Sequence, residues 1–209
     1  MKVNLKDLVY TIPNAISDDT CNHLIEHHTK MCNRGLGIDV DRKDDVVGID
    51  IKKSTDVLYE HHGEPDVIKE LNSIIKKHFI KYGYIFDNEN FSLSDQIFKQ
   101  WPRTNYNVFQ IQKYDKGVGG YPAWHLDKDY QPPFHNREYV YMFYLNDVNE
   151  GGETEFLHCG VSLKPVKGTL VYFPTNFPFV HRGNVPISSD KYIVTGWMCE
   201  KNPQELGKK

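Results

Sequence analysis

The chain has 209 residues, enough for one well-buried core without invoking a second domain. Its formal net charge of -3 at pH 7 argues against a non-specific nucleic-acid binder, which carries a basic excess to neutralise phosphates. No apolar run approaches the roughly 18 residues of a membrane span, so a soluble cytoplasmic protein with neither a nucleic-acid nor a membrane partner is expected. The four cysteines, Cys21, Cys32, Cys159 and Cys199, show no Cys-x-x-Cys spacing. Cys21 and Cys32 on one helix would stand roughly 16 Å apart, too far for a disulfide, so free thiols in a reducing compartment are expected.

Ser17 is placed to cap a first helix running to about Cys32, because Cys21, Leu24, Ile25 and His28 recur at helical spacing and Gly35 and Gly37 follow. The charged stretch Asp39 to Asp45 reads as a solvent loop, since it lacks the Gly and closing Glu of a calcium-binding loop. His61 and His62 also read as loop residues. A second helix is predicted from Pro65 to about Tyr82, where Val67, Ile68, Leu71, Ile74, Ile75, His78 and Phe79 make an apolar stripe.

From about Val108 the texture changes to short runs rich in Val, Ile, Thr, Tyr and Phe, punctuated by Gly and Pro. Strands are predicted at 107–114, 123–127, 137–145, 153–156, 161–164, 169–173, 179–182 and 191–199. Eight short strands fit a double-sheet jelly roll. The expectation is therefore an α+β single domain: a helical support region over 1–100, a jelly-roll core over 101–200, and N-terminal helices packed on one sheet. The segment Lys116-Gly-Val-Gly-Gly-Tyr121 lacks the pattern of a nucleotide cradle and reads, through Trp124, as a mobile substrate-gating loop. The polar tail from Glu200 onward reads as frayed.

The residues with the most chemistry are His125, Asp127 and His181, followed by Lys191. Positions two apart on a strand face one way, so His125 and Asp127 can bind one metal together. Two imidazoles and a carboxylate suit non-haem Fe(II) and leave coordination positions open. The bland alternative is a surface His-x-Asp pair with an unrelated histidine. For Lys191 it is a strand-edge lysine in solvent. His23 and His27, four apart on the first helix, are set aside as a surface pair.

The surrounding motifs are Tyr121-Pro-Ala-Trp-His125-Leu-Asp127, Glu150-Gly-Gly-Glu-Thr-Glu-Phe156, Pro165-Val-Lys-Gly-Thr-Leu-Val-Tyr-Phe173 and His181-Arg-Gly, then Lys191 and Trp197. With Ile16-Ser-Asp-Asp-Thr-Cys upstream, they resemble the catalytic domain of prolyl 4-hydroxylases among the 2-oxoglutarate and Fe(II)-dependent dioxygenases, in the compact form of bacterial and viral homologues. The resemblance implies a jelly roll, with His125, Asp127 and His181 on Fe(II). It implies Lys191 and Tyr144 on the distal carboxylate of 2-oxoglutarate, Tyr114, Thr154 and Trp197 in the same pocket, O2 as second cosubstrate and ascorbate as reductant. Asp127 argues against the related halogenases, in which a small residue replaces this carboxylate.

The substrate implied is a proline-containing peptide or protein, contacted by Tyr121, Trp124 and Arg137. The aromatic residues Trp101, Trp124, Tyr130 and Phe134 read equally as groove or core. The family usually places a tyrosine three residues before the first histidine, whereas Tyr121 lies four before it. The alternatives are the same chemistry on a lysyl residue, a free amino acid or another small molecule, and a non-catalytic metal-binding jelly-roll module.

Overall fold

The structure, a computed structural model, describes residues 4–44, 50–85, 87, 92, 104–129, 131–132 and 135–200. The first helix, α1 (Asp18–Asn33), starts where Ser17 Oγ accepts the Thr20 N–H at 3.0 Å and ends at Gly35, which takes the left-handed φ of 73°. A short helix, α2 (Tyr59–His62), precedes α3 (Pro65–Ile85). His61 and His62 thus close a helical turn and do not lie in a loop. No helix among the described residues is long and apolar enough to cross a membrane.

Eleven strands are named in chain order: β1 (Tyr10–Ile12), β2 (Ile38–Lys43), β3 (Asp50–Leu58), β4 (Thr104–Tyr114), β5 (Tyr121–His125), β6 (Arg137–Tyr144), β7 (Thr154–Phe156), β8 (Val161–Leu163), β9 (Leu170–Pro174), β10 (His181–Gly183) and β11 (Lys191–Glu200). They form a seven-stranded sheet in the order β1-β9-β6-β11-β4-β3-β2 and a four-stranded sheet in the order β5-β10-β7-β8. The expected α+β jelly roll with helices on one sheet is borne out.

Apart from its edge strand β2, whose residues are mostly exposed, the large sheet packs on both faces. Its outer face meets the helices through Leu24, Leu71, Ile75, Phe79 and Tyr82, packed on Ile111, Tyr141, Phe143 and Tyr172. Each such fully buried side chain contributes about 1.5–3 kcal/mol. Val140, Met142, Tyr144, Phe173 and Ile193 face the other way and meet Phe156 of the small sheet. Adjacent residues of β6 therefore serve opposite layers, which is why its run Tyr139 to Tyr144 is apolar throughout.

Four expectations need correction. Asp39 to Lys43 is solvent-facing but not a loop: Ile38–Lys43 is β2, paired with β3 from Ile38↔Asp56 onward, and Asp45 lies outside the described residues. The N-terminal region is not only helical, because β1, β2 and β3 extend the large sheet at its two ends. The stretch 116–124 is a loop only in its first half, where residues 116–118 form a turn. Gly120 exchanges two backbone hydrogen bonds with Lys53 at 2.8 and 2.9 Å, the Gly117 N–H reaches Pro186 O at 2.7 Å, and Tyr121 to Trp124 are strand residues. Asp127, finally, lies in a bend beyond the end of β5, so strand alternation is not what turns it towards His125. Trp101, Tyr130 and Phe134 lie outside the described residues.

Candidate active site

His125 ends β5 and His181 opens β10, and the two residues are register partners across the small sheet. Each ring donates its Nδ1–H to the carbonyl two residues earlier, His125 to Ala123 O at 3.0 Å and His181 to Phe179 O at 3.0 Å. A carbonyl only accepts, so the tautomer is fixed and both Nε2 lone pairs are left for a metal. Phe173 stands edge-on to His181 at 4.8 Å, with Phe156 at 5.5 Å, and locks the ring. The His181 Nε2 lies 3.5 Å from Asp127 Oδ2. Burial, followed by the neighbouring His181, pushes the His125 imidazole down to about 4, which keeps it neutral at pH 7.

Ligand atoms of His125, Asp127 and His181 lie within 4.8 Å of one another, and no other such group occurs among the described residues. Two imidazoles and one carboxylate fit Fe(II). The Arg137 guanidinium donates to the Asp127 backbone oxygen at 3.2 Å and lies 3.5 Å from the Trp197 ring centre, so it braces the bend that carries the carboxylate.

The triad opens into a cavity of about 580 Å3 between the two sheets. Deep in it, Lys191 is only 3% exposed, and its Nζ donates to Gly152 O at 2.7 Å. The rings of Tyr114 and Tyr144 flank this ammonium at 5.6 and 5.5 Å. No carboxylate lies within 4 Å of it among the described residues, and burial pushes it down to about 8 against a weaker opposing pull from Glu153. The Tyr144 hydroxyl donates to Thr154 Oγ1 at 2.7 Å, which places two hydroxyls near the cation. The Trp197 Nε1 is buried without a partner, a donor free for an acceptor in the cavity it lines.

The remaining expected residues divide. Tyr121 lines the cavity and stacks on His125, with ring centres 3.6 Å apart and planes at 7°. Tyr114 lines it too, but its hydroxyl is spent on Gln112 Oε1 at 2.7 Å. Trp124 is not brought into the cavity. Alternation on β5 turns it to the outer face of the small sheet, 40% exposed, where Arg182 lies 4.5 Å over its ring and is tied to Glu155.

Sequence reasoning missed Arg42, Lys52, Asp56, Gln110 and Gln112, which line the same cavity from β2, β3 and β4. Their signal was the period-two series Lys52-x-Ser54-x-Asp56 and Gln110-x-Gln112-x-Tyr114. It carries polar residues where a core-facing strand normally carries apolar ones.

Residues 109–199 match the sequence model of the 2OG-Fe(II) oxygenase superfamily. The prolyl 4-hydroxylase subunit alpha-1 of Gallus gallus is 30% identical over 110 residues, which cover 46% of this chain and 21% of that protein. Prolyl 4-hydroxylase 13 of Arabidopsis thaliana is 26% identical over 127 residues, covering 49% of this chain and 46% of that one. The chain thus spans between about a fifth and a half of the curated relatives it matches. The viral collagen prolyl hydroxylase of Paramecium Bursaria Chlorella virus-1, solved as its 2OG complex, superposes with TM-score 0.66 at 22% identity, covering 93% of this chain and 97% of that one. A Trichoplax adhaerens prolyl hydroxylase in complex with a hypoxia inducible factor peptide fragment gives TM-score 0.66 at 15% identity, covering 97% and 88%. The chain is similar to prolyl 4-hydroxylases in sequence over about half its length and in fold along nearly its whole length.

Proposed function

We propose that this protein is a 2-oxoglutarate- and Fe(II)-dependent dioxygenase that hydroxylates an unactivated C–H bond, with a prolyl residue of a peptide or protein as its substrate. The observation that carries the reading is one cavity holding both the His125, Asp127 and His181 donors and a buried ammonium with no carboxylate of its own. The prolyl substrate rests on the relatives, which are named prolyl 4-hydroxylases, one of them solved with a peptide fragment.

When bound, Fe(II) would activate O2, the oxidant, and 2-oxoglutarate would supply two of the electrons O2 takes up by its own oxidative decarboxylation to succinate and CO2, the C–H bond supplying the other two. The chain supplies position and exclusion. Its two imidazoles are held in one tautomer by backbone carbonyls, so the donor set needs little reorganisation on loading. Lys191, with the Thr154 hydroxyl that Tyr144 orients by donating to its oxygen, takes the distal carboxylate of the cosubstrate. Val140, Met142, Phe173 and Ile193 wall the space with apolar surface and exclude water. Ascorbate serves as the reductant that sustains turnover, and the four free thiols support a reducing, cytoplasmic setting.

The test is succinate formation dependent on Fe(II) and 2-oxoglutarate, together with mass spectrometry for the gain of one oxygen on proline peptides. Asp127→Ala is expected to abolish iron binding and both products, and full activity in that variant sinks the reading. Iron binding by the wild type without succinate would instead mark a non-catalytic module.

A further inference from the structure

The cavity has a second cationic end that neither the metal nor the cosubstrate requires. On β3, Lys52 is 5% exposed and Asp56 1%, with Lys52 Nζ on Asp56 Oδ2 at 2.8 Å. The same oxygen accepts from Gln110 Nε2 at 2.7 Å and Gln112 Nε2 at 3.3 Å, while Oδ1 accepts from Ser54 Oγ at 2.8 Å. Four donors fill this carboxylate, so it has little capacity left for a ligand. Its role is to aim its partners.

Lys52 has three N–H donors, and among the described residues Asp56 is their one hydrogen-bond acceptor. Two donors therefore remain beside the cavity that Lys52 lines. Arg42, on the edge strand β2, brings a second cation: its guanidinium lies 5.6 Å from the centre of the Tyr121 ring, and Lys52 Nζ lies 6.0 Å from it. That ring stacks on the metal-facing His125. Two cations against the single filled carboxylate of Asp56 leave one surplus positive charge a ring's breadth from His125. Asp127 belongs to the metal set, and Asp129, a carboxylate that also lines the cavity and accepts from the Gln131 N–H at 3.1 Å, makes no ion pair with either cation within 4 Å among the described residues.

A buried ion pair is a poor way to gain stability, since apolar residues of like volume do as well or better. In this cavity wall the pair instead fixes where the Lys52 ammonium stands beside Arg42. Only donors are offered with the surplus charge, so the fitting group is an acceptor that is itself negative and can use a forked guanidinium: a carboxylate. A neutral amide carbonyl would leave the charge uncompensated. Lys191 already serves the cosubstrate, and Tyr114 stands between the two ends with its ring to Lys191 and its hydroxyl to Gln112.

We propose that Arg42 and Lys52 form a carboxylate subsite for the hydroxylated substrate, so that the preferred substrate carries an acid group beside the reacting residue. The proposal rests on the oxygenase reading for what is hydroxylated, but not for what binds. The carboxylate has two possible sources, an acidic side chain flanking the proline or the chain's own C-terminus.

The experiment is equilibrium binding of proline peptides to the full-length protein without metal or cosubstrate. One arm carries Glu beside Pro with an amidated C-terminus, a second has no acidic residue and a free C-terminal carboxylate after Pro, and a third is neutral throughout. At least one acidic arm is expected to bind roughly 10- to 100-fold tighter than the neutral one, the range of a charge-assisted contact. The arm that does so identifies the source. Arg42→Glu, at an exposed position, is expected to erase this preference and favour a peptide with Lys at that place. The double variant Lys52→Met, Asp56→Leu keeps the charge balance and is expected to reduce the preference as well.

Equal binding of all arms to the wild type overturns the subsite. So does an Arg42→Glu effect confined to 2-oxoglutarate, which would assign this end to the cosubstrate. Tight acidic-peptide binding without any hydroxylation on loading would uphold the subsite and sink the oxygenase reading instead.

Discussion

Two lysines project from the inward face of one sheet into one cavity, and the protein treats them oppositely. Lys52 is given a carboxylate at 2.8 Å that is itself held by three further donors. Lys191, as deeply buried, is given one backbone carbonyl and two aromatic faces. A buried ammonium with a built-in counter-charge is already neutralised and attracts a further anion only with a second cation such as Arg42 beside it, whereas one without a counter-charge attracts an anion by itself. The contrast separates a charge that shares its ligand site with a neighbouring cation from a charge that receives its ligand alone. It also puts the cosubstrate and the proposed substrate carboxylate at different ends of the same space.

The largest expected effect breaks the neutralised pair. Asp56→Ala strands the Lys52 ammonium and the donors of Gln110, Gln112 and Ser54, and is expected to cost about 3–5 kcal/mol of stability, or roughly 6–20 °C in Tm. The double variant Lys52→Met, Asp56→Leu removes both charges and should recover most of that loss. Thermal melts of the two proteins side by side decide the matter: equal losses would mean that packing volume, not the stranded charge, sets the cost.

Lys191 should respond in the other direction. Lys191→Ala removes a charge that has no internal partner, so the cosubstrate-free fold should lose little. The 2-oxoglutarate dissociation constant should instead rise about 30- to 1000-fold, as when one member of a buried charged pair is removed. The pH dependence carries the same signature. Burial holds this group down to about 8, against about 10.4 in an unfolded chain. Between those values the unfolded chain keeps a proton that the folded one has released. The penalty is thus full below pH 8, and the stability of the cosubstrate-free protein rises across the window by up to ~3 kcal/mol. Binding of 2-oxoglutarate should weaken about tenfold per pH unit above pH 8, since the carboxylate needs the ammonium form. Titration calorimetry in buffers of different ionisation enthalpy measures the proton taken up, and a flat profile would reject the assignment.

How far the sequence could be read follows the same division. Helices α1 and α3 and the eight core strands were legible because their buried positions are apolar: Val140, Met142 and Tyr144 lie in a short apolar run, and Ser17 announces α1. The triad was legible because its motifs are local, even though Asp127 reaches its place through a bend and not through strand alternation. Strands β2 and β3 were illegible to apolar periodicity because the inward face of β3 carries Lys52, Ser54 and Asp56. The period of two was present, but in polar residues, and reading it required knowing that Asp56 would meet four donors from two strands. Tyr121 and Trp124 were misread as one loop for a similar reason. The pairing of Gly120 with Lys53 across 67 positions of sequence makes them strand neighbours and sends them to opposite faces.

The smallest expected effect tests whether the two ends are separate. Tyr114 and Tyr144 both set a ring beside Lys191 at nearly equal distance, so replacing either by Phe keeps the ring contact. Only the hydroxyls differ. Tyr144's joins Thr154 at the cosubstrate end, and Tyr114's joins Gln112 in the Asp56 network. Tyr144→Phe is therefore expected to weaken 2-oxoglutarate several-fold, about 1 kcal/mol, with little change in melting temperature. Tyr114→Phe leaves Gln112 Oε1 without its donor inside the protein, so it should cost about 1–3 kcal/mol of stability while 2-oxoglutarate affinity holds. Binding and melting measurements on both variants give four numbers, and the pattern must be crossed. If Tyr114→Phe weakens the cosubstrate as much as Tyr144→Phe does, the two lysine neighbourhoods are one electrostatic unit, and the carboxylate selected at the Arg42 end cannot be chosen independently of the one held by Lys191.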